Sequence, residues 1–394
     1  MSHRLQGTST PGLSPRPTAE AFLEALQDRV YRSLGLTAED CQARERIGQQ
    51  TVLPERLRQK SVELAPPDFE RYREALFEGL ARDEEAPRPT RFERPHQYSI
   101  LRDLKGAIER AAERLSFEVP VKPVIGTLPT RSLEPLMVPV PGSTDIVVVV
   151  DGSMLTYANL LSKAVAQALP FDGHETDDTA PLRLVDDWAA RLDSSGEART
   201  HFLDLMTAAL EGRPAMAKPY LPDARYEQIS ADLCESMELF VLAREYAHLI
   251  DGDYCVDRVR RRDVNGQAFE TLAWTGEQEL KADSLALLLL LAAANEQGAS
   301  LSWAFWAVDV LLASFGILER AAWLSRGTVG QALPTPLPNV HDERRKVLRE
   351  LLKHSDGGEQ AVRFADALQP VLDHLEASLE THIYEERFGK VAVH

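Results

Sequence analysis

Three short β-rich runs between residues 122 and 150 place the strongest limit on the fold of this chain. The runs are Val124–Leu128, Leu136–Val138 and Asp145–Val150, and Pro and Gly separate them. A turn and helix cap at Asp151 then begins an amphipathic pattern that continues to about Leu169. Residues 18 to 117 and most of the later chain carry helical patterns. The sequence therefore predicts an α+β fold that is predominantly α-helical and contains a small β-sheet.

Residues 244 to 248 read Arg-Glu-Tyr-Ala-His, which differs at its first position from the His-Glu-x-x-His signature of zinc peptidases. In that signature, a helix directs two imidazoles at i and i+4 to one Zn²⁺, and the glutamate polarises the metal-bound water. Arg244 cannot be a ligand, because its guanidinium stays cationic and has no lone pair to donate. Glu245 and His248 remain where a general base and a ligand would lie. The alternative is a solvated Arg and Glu beside a core histidine, which is common for so short a pattern.

Two later segments strengthen the functional interpretation of this motif. A second helical pattern contains Glu279-x-x-Ala-Asp283, which is similar to the segment that supplies the glutamate ligand in gluzincin peptidases. A further helix begins near His341 and Arg344 and is similar to a segment near the end of that peptidase domain. Together with the sheet and the helix after it, these features follow the order of the family.

Residues from about 120 to 354 thus resemble a gluzincin-type zinc metallopeptidase domain, a zincin-like fold with a small sheet and an active-site helix. The chain departs from the family at Arg244, and also at Asp342, where the family usually has proline. The resemblance implies roles for six residues: Glu245 would activate water, His248 and Glu279 would bind zinc, Asp283 would support the ligands, and His341 with Arg344 would stabilise the intermediate.

The arginine in the first ligand position makes a zinc-free domain the preferred interpretation. Two protein ligands are fewer than the three that a catalytic zinc normally has, and without zinc Glu245 and Glu279 need a compensating charge. Arg244 can provide that charge through bonds to Glu279. We therefore predict a pseudopeptidase that has no cofactor and binds a peptide or protein segment. The alternative is an active zinc endopeptidase that recruits another ligand, with Asp283, Asp251, Asp253 or a histidine outside the motif as candidates.

Composition adds limits on partners and location. The 394 residues include 44 basic and 61 acidic side chains, giving a net charge of −17. Such a surface repels phosphate backbones, so nucleic acid is not an expected partner.

The run from Asp257 to Asp263 contains four arginines and is predicted as a solvated loop, with a site for an acidic partner as the alternative. The apolar segments Leu285–Ala294 and Leu301–Leu318 are predicted as buried helices, not membrane spans.

The start of the chain lacks the apolar segment of a signal peptide, which predicts a cytoplasmic protein. Cys41, Cys234 and Cys255 form neither a disulfide framework nor a Cys-x-x-Cys metal site, although the last two flank the motif. His174 with Asp177 and Asp178 is a weak candidate cation site in what is more simply an acidic loop.

The predicted organisation has four parts, and the oligomeric state is left open. They are a disordered tail over residues 1–17, a helical N-terminal region over 18–117, the zincin-like domain over 118–354 with an insertion at about 170–226, and a C-terminal helix over 355–394.

Overall fold

The computed structural model describes residues 17–169, 196–255, 258–326 and 340–388. The candidate cation site at His174, Asp177 and Asp178 lies outside these residues. The helices are α1 (Ala19–Ser33), α2 (Ala38–Glu63), α3 (Pro66–Glu85), α4 (Pro95–Arg114), α5 (Gly152–Gln167), α6 (Gly196–Leu210), α7 (Glu227–Ile250), α8 (Gly276–Gln297), α9 (Leu301–Arg326), α10 (Val340–Lys353) and α11 (Gly358–Phe388). The strands are β1 (Val124–Thr127), β2 (Leu136–Pro139), β3 (Ile146–Val150), β4 (Val259–Val264) and β5 (Gln267–Leu272).

The three predicted strands form one mixed sheet in the order β1-β3-β2. β1 runs parallel to β3, and β2 runs antiparallel to it, with Val148 opposite both Ile125 and Met137. Every residue of β3 is buried. Val148 belongs to the main core, whereas Val147 packs in the smaller core with α1. Burial on both faces explains why β3 is a continuous run of β-branched residues and does not alternate with polar ones.

The helix that carries the motif, α7, runs through the main core. All residues from Met237 to Leu249 are buried, and α7 packs against α4, α5, α8 and α9. Four of its large side chains lie in this core, each at most 2% exposed: Leu239, Phe240, Leu242 and Tyr246. α4 and α11 contribute side chains to the same core, so helices from both ends of the chain help to form the core in which α7 lies.

The prediction of a loop for the basic run is wrong over the described residues 258–263. Residues from Val259 form β4, which pairs antiparallel with β5 and places Arg261 opposite Glu270. Asn265 and Gly266, both with positive φ, make the tight turn between them. An Asn-Gly pair favours this kind of hairpin turn because both residues tolerate the left-handed conformation. The four arginines do not follow the alternating pattern of a strand, which is why a loop was predicted. The Asn265-Gly266 pair was the signal that could have identified the hairpin.

The second apolar segment forms α9, as predicted. Leu301–Ser325 is the one helix of the described chain that is long and apolar enough to cross a membrane, but 89% of its most apolar window is buried within the protein. Its buried Asp309 accepts hydrogen bonds of 2.7–3.0 Å from Arg345 and Arg349 of α10. These bonds compensate the only charge in the middle of the helix and attach α10 to α9.

Candidate functional site

α7 and α8 pack side by side and bring the two halves of the predicted motif together. Arg244 is only 4% exposed, and its Nη2 donates a short hydrogen bond to Oε2 of Glu279. Its Nε lies 2.8 Å from Oδ1 of Asp283, an ion-pair contact without the geometry of a hydrogen bond. The predicted contact between Arg244 and Glu279 is therefore present. The guanidinium also reaches Asp283, one turn further along α8.

Two further side chains complete the cluster around Arg244. Glu134, from the loop between β1 and β2, accepts a hydrogen bond of 2.8 Å from Arg244 Nη1. Arg344 of α10 binds the fully buried Asp283 in a bidentate manner, with Nε–Oδ2 and Nη2–Oδ1 distances of 2.6 and 2.8 Å. His341 lies beside Arg344, with 3.3 Å between its Nδ1 and Nη1 of the arginine. The Arg244 cluster, defined here as Arg244, Arg344, Glu134, Glu279 and Asp283, thus joins three helices to the sheet.

The charges in this cluster stabilise one another. The Arg244 guanidinium lowers the pKa of Glu134 to about 2, and Arg344 adds to that effect against the opposing influence of burial. Burial acts to lower the pKa of Arg244, but the nearby carboxylates, Asp283 foremost, more than offset it and raise the pKa. Arg244 and Glu134 are therefore both charged at neutral pH, and charge-assisted hydrogen bonds hold the cluster together.

His248 is held beside the cluster by partners of its own. Its Nδ1 lies 2.8 Å from Oδ2 of Asp253, and its ring stacks on Trp274 with 4.2 Å between centroids. Gln278, in the capping box that begins α8, donates to the other oxygen of Asp253 at 2.7 Å. The imidazole Nε2 is buried and has no hydrogen-bond partner among the described residues; it lies 4.0 Å from Oε2 of Glu279. Burial lowers the pKa of His248, so the ring is neutral at pH 7.

Glu245 is buried next to this network and is protonated at neutral pH. Burial, together with the charges of Glu279 and Glu134, raises its pKa to about 8, although Arg244 opposes the shift. A carboxyl group in this state donates a proton instead of accepting one. At neutral pH, Glu245 is consequently not the ionised base that the intact peptidase motif would require.

The raised pKa of Glu245 predicts a specific pH dependence of stability. Between its ordinary value of 4.5 and its folded value of about 8, the folded protein holds a proton that the unfolded chain releases, so this group makes stability fall as pH rises. Glu245→Gln removes that penalty. We expect its stability relative to the wild type to improve by about 2–3 kcal/mol between pH 6 and pH 9. Urea unfolding at both pH values measures this difference, with Glu113→Gln on the exposed surface of α4 as the control. Parallel pH profiles for Glu245→Gln and the wild type would contradict the assigned protonation state.

The residues present do not fit a zinc centre of the peptidase type. The free Nε2 of His248 and the carboxylate of Glu279 supply two donors, and Asp253 supports the histidine as carboxylates do in zinc sites. However, Arg244 hydrogen-bonds the same Glu279 oxygen that lies closest to His248. A cation would therefore adjoin the metal where a third ligand is needed.

Other predicted candidates are engaged elsewhere. Asp251 pairs with Lys281, and Asp253 is shared by His248 and Gln278. Cys255 is exposed in a short 3₁₀ turn. Cys234 lines a cavity that also contains Lys163 and that none of the residues of the Arg244 cluster lines.

Sequence reasoning missed Glu134, Trp274 and Gln278. Glu134 could have been noticed as the only acidic residue between Glu118 and Asp145. Trp274 and Gln278 gave no comparable signal, because their roles depend on how the chain turns into α8.

Comparisons of the chain with protein-family models, with curated proteins and with solved structures find no match in any of the three.

Proposed function

We propose that this protein is a zincin-like pseudopeptidase in which Arg244 takes the electrostatic place of the catalytic metal. The observation that carries this proposal is the buried guanidinium held by Glu134, Glu279 and Asp283. Its charge balances the carboxylates that zinc would otherwise neutralise, and its permanence makes the site independent of metal. A protonated Glu245 agrees with the same assignment, because a site without hydrolysis needs no ionised base there.

The site would act by binding a peptide or protein segment. Glu134 and Glu279 have side chains 47% and 34% exposed, whereas Arg244 beneath them is buried. The Arg244 cluster contains three acidic side chains and two arginines, and its two exposed members are both acidic, so its outer surface is negative. A segment with a lysine, an arginine or a free amino terminus matches this surface.

A working zinc endopeptidase is the second candidate, and the geometry of His248 favours it. The neutral ring directs an unused Nε2 towards Glu279, and Asp253 fixes its orientation. For zinc to bind, Arg244 would have to release Glu279, and a third ligand would have to come from elsewhere. Glu245 would then be the base, with His341 and Arg344 near the substrate.

Metal content separates the two candidates. We expect the protein purified without a His tag or chelator to contain far less than one zinc per chain by elemental mass spectrometry. Arg244→His restores the third ligand and should raise zinc to about one per chain, because a catalytic zinc normally has three protein ligands. Adding His248→Ala to that variant should remove the metal again.

Two results would overturn the proposal. Near-stoichiometric zinc in the wild type that is lost in both His248→Ala and Glu279→Ala would support the endopeptidase. A folded Arg244→His protein that gains no zinc would show that residue 244 is not a former ligand position. Circular dichroism of each variant establishes that it is folded.

A further inference from the structure

A cavity lies between α5 and α7, and none of the residues of the Arg244 cluster lines it. It has a volume of about 430 Å³, which is within the range of small-molecule sites. Its walls come from one face of each helix, from the first turn of α4 and from Arg56 of α2. The positive end of the α4 dipole therefore lies beside this region.

Lys163 of α5 is the cation that most needs a partner in this cavity. Its Nζ donates to the backbone oxygen of Tyr220 at 3.2 Å and lies 5.9 Å from the centroid of that ring. Within the described chain, no carboxylate forms an ion pair with Lys163. Lys163 is half-buried, and burial lowers the pKa of its ammonium because removal from water disfavours the charged form. A partly buried cation without a counterion favours an anion in the adjacent space.

The carboxylates that line the cavity do not serve as that counterion. Glu227 pairs with Lys60 and lies 3.8 Å from Arg56. Glu235 is exposed at the rim and accepts a hydrogen bond from Gln297. Burial raises the pKa of Glu238 to about 8, so this side chain is a neutral acid at pH 7.

The rest of the lining defines the kind of anion. Ile100, Leu155 and Leu221 provide an apolar wall, and Asn159 is a polar group on the same face of α5 as Lys163. A phosphate ion would leave the apolar wall uncovered, whereas a short carboxylic acid has both an anionic head and an apolar chain. We propose that this cavity binds a small organic carboxylate, with Lys163 as its counterion and the apolar wall against its chain.

Cys234 in the same cavity makes the proposal testable. Iodoacetate is a small carboxylate and iodoacetamide is its neutral counterpart, so the ratio of their alkylation rates at Cys234 reports attraction of the anion. Both reagents react with the thiolate of Cys234, so the ionised fraction of this thiol does not affect the ratio of the two rates. Lys163→Met should lower the ratio about fivefold or more, because it removes the attracting charge while retaining most of the side-chain volume. Lys353→Met on the exposed surface of α10 is the control. Mass spectrometry of peptides, after alkylation of the full-length protein and digestion, measures both rates at Cys234 and separates them from alkylation of the exposed Cys255.

Protection by propionate at constant ionic strength is the second measurement. Propionate should slow alkylation of Cys234 by iodoacetamide in a saturable manner, and Ala231→Phe, which fills the cavity from an exposed helical position, should abolish this protection. Two results would overturn the proposal: an unchanged rate ratio in Lys163→Met, or alkylation of Cys234 that propionate does not slow, whether or not inorganic phosphate slows it. The variants leave the Arg244 cluster intact, so these outcomes are independent of the proposed pseudopeptidase function.

Discussion

Asp283→Ala is expected to lower the free energy of unfolding by about 3–5 kcal/mol, the effect of removing one partner from a buried ion pair. Asp283 is fully buried and binds Arg344 through two hydrogen bonds while contacting Arg244. Without it, two buried guanidiniums lie close together and only Glu134 and Glu279 remain to compensate them. Urea unfolding at pH 7, followed by circular dichroism, measures the loss.

A matched control lies on the surface of α10. Glu350 pairs with Lys353 one turn away, and both are exposed. Glu350→Ala should be indistinguishable from the wild type, because exposed ion pairs contribute little to stability. A loss of less than about 1 kcal/mol for Asp283→Ala would mean that water reaches the two arginines and that the network is not the buried one described above.

Arg244→Met is expected to destabilise the protein by about 2–4 kcal/mol at pH 7, because it leaves Glu134, Glu279 and Asp283 with one cation fewer. The loss should depend on pH. Arg244 lowers the folded pKa of Glu134 to about 2, so the stabilisation from this pair is complete above the ordinary value of 4.5 and disappears as pH falls towards 2. The difference between variant and wild type should therefore shrink below pH 4.5. Unfolding measurements from pH 7 to pH 3 follow this change.

A double variant tests whether the charges act as one unit. Arg244→Met combined with Asp283→Leu replaces a buried pair by apolar groups, and it should be less destabilised than the sum of the two single variants. Simple additivity at pH 7 would show that the two residues are energetically independent despite their 2.8 Å contact.

Local patterns were enough to predict the three strands of the first sheet, the helix α5 that follows them and the contact between Arg244 and Glu279. The strands follow from β-branched runs bounded by turn residues, and the contact between Arg244 and Glu279 follows from the need to balance buried carboxylates. Glu134 and the pairing of Arg344 with Asp283 could not be predicted in the same way. The contacts of Glu134 with Arg244 and of Arg344 with Asp283 join residues far apart in the sequence. Their distances depend on how α8, α10 and the loop before β2 pack together.

Two neighbouring arginines of α10 attach this helix to two other helices of the core. Arg344 binds Asp283 of α8, and Arg345 binds Asp309 of α9, so consecutive residues of one helix engage two buried acids on two other helices. A shift of α10 by one residue would separate both pairs at once. A chain cleaved ahead of Val340 would also expose two acids that lack their strongest partners. α10 is thus an integral part of the fold and cannot be removed as an appendage, even though the motif residues Arg244 and Glu279 precede it.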